Sequence, residues 1–199
     1  MGNFIPPYFI FSMRRIFFAI RLLSFLIQEI EMQFIRPLRA FPFLKLVEPE
    51  TLHITTHFVG DVIEEQYQSF LDDFLHMDFS VAQKIILGGK KNLGRFGQRT
   101  LFLHVEDLSS CLSQLHETCH AFFPQNDYTY ARNAQYYPHI TLARNPSAQL
   151  LTSIEKKFNQ ITWEKHFIPA SLSLMENTHL QGKKKYVERA RVKLSYNPI

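Results

Sequence analysis

Two periods run along this chain. Some apolar stretches alternate with polar residues or cluster β-branched and aromatic side chains, whereas others repeat every three or four residues, and these patterns mark strands and helices respectively. Residues 16–20 (IFFAI) read as a strand, 22–35 as a helix, 52–59 (LHITTHFV) as a strand, 63–75 as a helix and 79–87 as a strand. The stretch GGKKNLGRFGQR at 88–99 carries the glycines and polar residues of a loop. Beyond it the order restarts: strand 101–105, helix 108–123, strand 137–143, helix 148–158, then strands 168–175 and 186–194.

The restart is an internal repeat. IFFAI aligns with LFLHV, LHIT with PHIT, and FSVAQKIILGG with FIPASLSLMEN. The offsets are 85 residues (Phe17 to Phe102), 86 (His53 to His139) and 88 (Phe79 to Phe167). So constant a spacing across three elements predicts a duplicated strand–helix–strand–helix–strand unit. Two lobes, about 13–89 and 100–199, then share one domain of mixed helix and strand. If a pseudo-twofold relates them, the two H-I-T strands hold equivalent places and face a common groove.

Composition adds bounds. The 199 residues are 46% hydrophobic and 20% charged, with 19 Phe, which describes a globular chain able to bury a sizeable core. A net charge of +4 permits an anionic ligand without requiring one. Cys111 and Cys119, roughly 12 Å apart by helix rise, are too distant for a disulfide, and a reducing cytoplasm is the expected location. Met13-Arg14-Arg15 before IFFAIRLLSFLI resembles a signal peptide, but Arg21 interrupts the run, Gln28 and Glu29 follow it, and no small-residue cleavage site is present. No stretch reaches the roughly 20 apolar residues of a membrane span, so no membrane partner is expected. Residues 1–12 read as an N-terminal extension before Met13.

The candidate chemistry lies in His53-Ile54-Thr55 and His139-Ile140-Thr141. On a strand, residues two apart share a face roughly 6.5 to 7 Å apart, so each imidazole stands beside its hydroxyl. Two imidazoles can divide the work of accepting and donating a proton. The threonines can donate hydrogen bonds to the oxygens of an anion between them. This set suits in-line displacement at a phosphodiester without a metal or other cofactor, each proton transfer contributing about 10²- to 10⁴-fold. A lone H-x-T is usually a hydrogen-bonded strand pair; the matched copies carry the inference.

These residues resemble the 2H phosphoesterases, and in particular the RNA 2′,3′-cyclic phosphodiesterases of the LigT/ThpR type, also called 2′-5′ RNA ligases. RIFFAI is similar to that family's opening strand, PETLHITTHFVG to its first motif, PHITLAR to its second, and SLSLMENTHLQGKKKYVERARVKL to its closing hairpin. The chain departs from the family pattern at Arg21, in LKLVEPE, and at Thr56-His57. The resemblance implies a bilobal α+β fold, two antiparallel sheets with flanking helices around a central cleft lined by His53, Thr55, His139 and Thr141. It implies hydrolysis of a 2′,3′-cyclic phosphate to a 2′-phosphate, with His139 as proton acceptor and His53 as proton donor, on RNA or nucleotide ends and with no cofactor. A non-hydrolytic RNA-binding protein, or a ligase using the same groove, is the alternative. Arg144 is the candidate phosphate contact, Phe18, Phe96 and Tyr137 are candidates for base stacking, and a cleft within one chain leads us to expect a monomer.

Two other signals compete. His116-Glu117-Thr118-Cys119-His120 matches H-E-x-x-H, the helical motif of zinc peptidases. The apolar stripe of that helix runs through Leu108, Cys111, Leu112, Leu115, Cys119 and Phe122. Measured from Leu115, His120 falls at about 140° and Glu117 at about 200°, and no third ligand follows at metzincin spacing, so a solvated polar face is expected. Residues 88–97 lack the order of a P-loop. Lys90, Lys91, Arg95, Arg99 and Lys183–Lys185 are candidates for a basic rim along an RNA backbone.

Overall fold

The structure, a computed structural model, describes residues 13–89, 91–97, 99–123, 136–144, 148–180 and 183–196. The extension expected at 1–12 lies outside them. β1 (Met13–Arg21) opens the chain and buries Ile16 to Ile20 completely or nearly so. The first helix is longer than its sequence pattern suggests: α1 (Ser24–Ile30) passes through a π turn (Glu31–Ile35) into α2 (Arg36–Leu38). The widened turn coincides with Pro37, which has no N–H to bond back along the helix. β2 (Lys45–Leu46), a 3₁₀ turn (Pro49–Thr51), β3 (His53–Ile63) and α3 (Glu64–His76) follow.

The expected strand at 79–87 is broken into β4 (Ser80–Ala82) and β5 (Ile85–Gly88), because β4 pairs instead with the terminal β12 (Ser195–Tyr196). The expected loop contains a strand, β6 (Leu93–Phe96), paired to β7 (Thr100–Glu106). Its sequence shows no strand period; it is held from outside. Leu93 N–H donates to Asn159 Oδ1 at 2.8 Å, and Asn92 Nδ2 donates to the Phe158 carbonyl at 3.1 Å. α4 (Cys111–Phe122) starts three residues late, because both carboxylate oxygens of Asp107 accept backbone N–H bonds, from Leu112 at 3.1 Å and Ser113 at 2.9 Å. β8 (His139–Arg144), α5 (Ala148–Phe158), β9 (Glu164–Phe167), β10 (Ser171–Leu180) and β11 (Lys183–Lys193) complete the order.

The strands run β11-β10-β1-β3-β8-β7-β5-β9, with β2 added to β8 and β6 to β7. Every pairing along this path is antiparallel. β3 and β8 touch at a single pair, Ile54↔Ile140, so two antiparallel sheets are joined along one narrow seam. Across that seam β3 corresponds to β8, β1 to β7 and β10 to β5. The third strand of each repeat therefore pairs with the first strand of the other: β10 lies beside β1 and β5 beside β7. Helices exchange as well. α4 packs on β3, and Phe123 just beyond it meets Phe70 of α3 at 4.5 Å; the first helix reaches the other half through Phe34 of its π turn, on Trp163 at 5.1 Å, and Glu29 of α1, to Lys165 at 2.8 Å. The repeats expected at 13–89 and 100–199 are interlocked, and neither sheet is built from one continuous segment. The result is the α+β architecture with flanking helices that the resemblance implies.

Candidate active site

The seam fixes the site. Ile54 and Ile140 are fully buried on the core face, so their neighbours His53, Thr55, His139 and Thr141 turn to the opposite face, where all four are partly exposed. Carrying the Ile54↔Ile140 register one residue either way sets His53 against Thr141 and Thr55 against His139. The imidazoles then stand diagonally across the seam, about 7 to 8 Å apart at the backbone for a regular register.

Both rings are held in the same way. His53 Nδ1 lies 2.6 Å from the Thr51 carbonyl, and His139 Nδ1 lies 2.9 Å from the Tyr137 carbonyl, each two residues upstream. A carbonyl only accepts, so Nδ1 carries the hydrogen in both rings. Nε2 is therefore the ring nitrogen that lacks a hydrogen in the neutral form and is the one able to take up a proton. Repeat-equivalent phenylalanines support the rings. Phe17 of β1 lies 5.2 Å from His53, and Phe102 of β7 lies 5.3 Å from His139. A further aromatic closes each side, Tyr186 at 5.3 Å from His53 and Phe96 at 4.8 Å from His139.

Immediately after each threonine the strand bulges. On β3 the register jumps from Ala19↔Thr55 to Phe18↔His57, and on β8 from Phe102↔Thr141 to Leu101↔Ala143. Two consecutive side chains then point to the core, Thr56 with His57 and Leu142 with Ala143, and all four are buried. The next residue returns to the cleft face three positions after the threonine instead of two. By this device Arg144 rejoins Thr141 on the cleft face. Phe58 holds the same place on the other strand, 86 residues earlier, with the Arg15 guanidinium 5.1 Å above its ring.

The asymmetry has an electrostatic consequence. Burial first, and then the Arg144 charge, lower the pKa of His139, while its bond to the Tyr137 carbonyl opposes them. On the His53 side a recess of about 80 Å³ is walled by Arg21, Glu50, Met175, Tyr186 and Glu188, among others. Arg21 bonds Glu188 at 2.6 Å. Bonds from Arg191, and also from Arg21 and Ser173, hold the Glu188 carboxyl down to about 2.

The model of the 2′-5′ RNA ligase superfamily matches residues 27–179, a span that contains both H-I-T strands. The chain belongs to this superfamily, the 2H phosphoesterases. Its fold is similar to that of Escherichia coli LigT, solved with 3′-AMP: TM-score 0.67 at 20% identity, over 92% of this chain and 99% of that one. A crystal structure titled only as a phosphoesterase gives 0.68 at 20% identity, again over 92% and 99%. TT0787 of Thermus thermophilus gives 0.65 at 18% identity, over 90% and 97%. At these identities the likeness establishes the fold. No curated protein matches the chain.

Within this 2H phosphoesterase the other sequence candidates fall in different places. Phe96 and Tyr137 reach the cleft, 41% and 43% exposed, with the Tyr137 hydroxyl 2.6 Å from His104 Nδ1. Phe18 does not. It is fully buried in the core against Phe74 at 5.1 Å and Phe123 at 5.2 Å, because strand parity turns Phe17, its neighbour, to the cleft. The repeat alignment of Phe17 with Phe102 is the signal that identifies the ring on the cleft face. The expected polar face of α4 is only partly so. Glu117 and His120 are exposed, but His116 bends back, donating from Nδ1 to the Thr56 carbonyl at 2.7 Å and stacking on Tyr136 at 4.4 Å. No group of three or more side chains able to hold a metal ion occurs among the described residues. Of the candidate basic rim, Arg95 pairs with Glu155 at 3.5 Å, Lys91, Arg99 and Lys185 are exposed, and Lys90 and the side chains of Lys183 and Lys184 lie outside the described residues. Both cysteines are free and buried. No helix among the described residues is long and apolar enough to cross a membrane.

Proposed function

We propose that this protein is a metal-independent RNA 2′,3′-cyclic phosphodiesterase acting as a monomer. The observation that carries the reading is the matched pair of imidazoles, each fixed through Nδ1 to the carbonyl two residues upstream, on two strands that meet at Ile54↔Ile140. A cyclic phosphate seated between them is held by the Thr55 and Thr141 hydroxyls and by Arg144. His139, biased toward its neutral form by burial and Arg144, takes a proton from water through Nε2. The water oxygen bonds phosphorus, the bond from phosphorus to the 3′ oxygen breaks, and protonated His53 delivers its Nε2 proton to that oxygen. The product carries a 2′-phosphate. LigT of E. coli has been solved with 3′-AMP, phosphate, ATP and NADP+, all phosphate-bearing ligands, in keeping with such a cleft.

The superfamily's own description favours a second reading, in which a 5′ hydroxyl replaces water and the same two groups join RNA ends by a 2′-5′ linkage. One experiment separates the two. The protein is incubated with 2′,3′-cyclic AMP in EDTA, and the 2′ and 3′ monophosphates are resolved chromatographically beside His53→Ala and His139→Ala. Pure 2′-AMP, absent in both variants, is expected. No hydrolysis of the cyclic mononucleotide or of a cyclic-phosphate-ended oligonucleotide would leave ligation or RNA binding as the function.

A further inference from the structure

We propose that Lys45 and Arg144 form a second phosphate subsite, which makes the end of an RNA strand, and not a free cyclic mononucleotide, the preferred substrate. The inference rests on the function proposed above and extends it to the phosphate that joins the terminal nucleoside to the one before it.

β2 is only two residues long, yet it places Lys45 directly opposite Arg144 on the free edge of β8. Residues opposed in an antiparallel pair share a face, with Cβ atoms about 4.5 to 5.5 Å apart. That face is the cleft, because the bulge after Thr141 returns Arg144 to it, while Leu46 and Ala143 pack toward the core. Two like charges set opposite each other destabilise a sheet unless something lies between them. Most other arginines of this protein find acids: Arg14, Arg15, Arg21, Arg36, Arg39, Arg95, Arg189 and Arg191 all have a carboxylate within 4 Å. Lys45 and Arg144 have none among the described residues. An anion between them supplies the missing countercharge, and a phosphate can accept from both at once.

The position suits the next phosphate of a strand. Thr141 pairs with Phe102, and one row further along the sheet Arg144 pairs with Thr100, which pairs in turn with Phe96. Successive rows on one face are about 7 Å apart. Arg144, one row from the reacting phosphate, has donors enough to bond it and its upstream neighbour together, and Lys45 opposite it adds a second cation for the upstream phosphate alone. Two residues before Lys45, Phe43 has a left-handed backbone, φ 71°, and is 92% exposed. Packing of the Phe43 ring does not account for this conformation. Its ring is available to stack the base attached to the second phosphate.

The test is a binding titration of the full chain, run apart from turnover, with adenosine 2′-phosphate, adenosine 2′,5′-bisphosphate and a dinucleotide ending in a 2′-phosphate. The bisphosphate and the dinucleotide are expected to bind roughly tenfold more tightly than the monophosphate. Lys45→Ala removes most of that gain and lowers the salt dependence of dinucleotide binding by about 0.7 in log–log slope. It leaves adenosine 2′-phosphate within about twofold, and Lys45→Arg restores the gain. Phe43→Ala weakens the dinucleotide alone, by roughly tenfold. Equal loss for all three ligands in Lys45→Ala, or no loss for any, overturns the subsite. If the binding pattern holds and no cyclic phosphate is hydrolysed, the subsite stands and the hydrolytic function falls.

Discussion

The two H-I-T strands are near copies that differ where it matters. β3 and β8 share the His-Ile-Thr triplet, the Nδ1 bond to the carbonyl two residues back, the supporting phenylalanine on the neighbouring strand and the bulge after the threonine. Beyond the bulge they diverge: Phe58 stands on one, Arg144 on the other. At the inward position before it, β3 carries the buried His57 and β8 the small Ala143. Symmetry thus supplies two imidazoles on one cleft, and its local breakdown puts Phe58 after one triplet and Arg144 after the other. The cation beside His139 favours the unprotonated ring, which is what a proton acceptor requires.

The comparison can be broken most severely at the imidazoles. His53→Ala and His139→Ala are each expected to cut kcat by about 10²- to 10⁴-fold. The double variant should lose little more than the worse single one, since the two groups act as a unit. Fully multiplicative losses in single-turnover assays would show that they act independently.

A second difference shows in stability. Burial lowers the pKa of His57 to about 4, assisted by the charges of His116 and His120 and opposed by its bond to the Phe123 carbonyl. The folded value lies below the unfolded one of about 6.5, so the full stability is present above pH 6.5 and declines as pH falls toward 4. Between pH 7 and 5 the loss is about 2 kcal/mol. Urea unfolding at the two pH values checks it. In His57→Gln the pH-dependent part should shrink, and an unchanged slope would place it on another group.

Smaller effects follow at the hydroxyls. Thr55→Ala and Thr141→Ala should each reduce kcat/KM roughly tenfold, as expected for a lost hydrogen bond to a charged group. A loss confined to one of them would mean that the phosphate sits off the pseudo-twofold. The smallest expected change is a displacement of the pH profile. Removing the Arg144 charge raises the His139 pKa, so the acidic limb of kcat/KM moves to higher pH in Arg144→Ala. Phe58→Ala should leave that limb in place, and equal movement in both variants would remove the electrostatic distinction between the strands.

Much of this was legible beforehand, for identifiable reasons. Strand and helix order followed from local periodicity, and the repeat followed from spacing. β6 was not legible, because LGRF carries no strand period and forms through Asn92, Asn159 and a close approach. A Cβ on Gly94 would lie 2.7 Å from the Phe102 ring, so the glycine belongs to the packing under that ring and not to a loop. Phe18, a candidate for base stacking, lies on the core face, because adjacent residues of a strand face opposite ways and nothing local says which way the cleft lies. His116 looked solvated on its own helix and proved to be anchored to β3.

What the sequence determined by itself is the pair: two triplets 86 residues apart in a repeated frame, with the imidazoles and hydroxyls that phosphodiester chemistry uses. What the tertiary structure decided is how the copies meet. Exchange of β5 and β10 interlocks the repeats, the single Ile54↔Ile140 contact aligns the triplets, and two bulges, invisible to periodicity, turn Arg144 and Phe58 into the cleft. Register and bulge arise from pairing between residues distant along the chain, where local patterns have no hold.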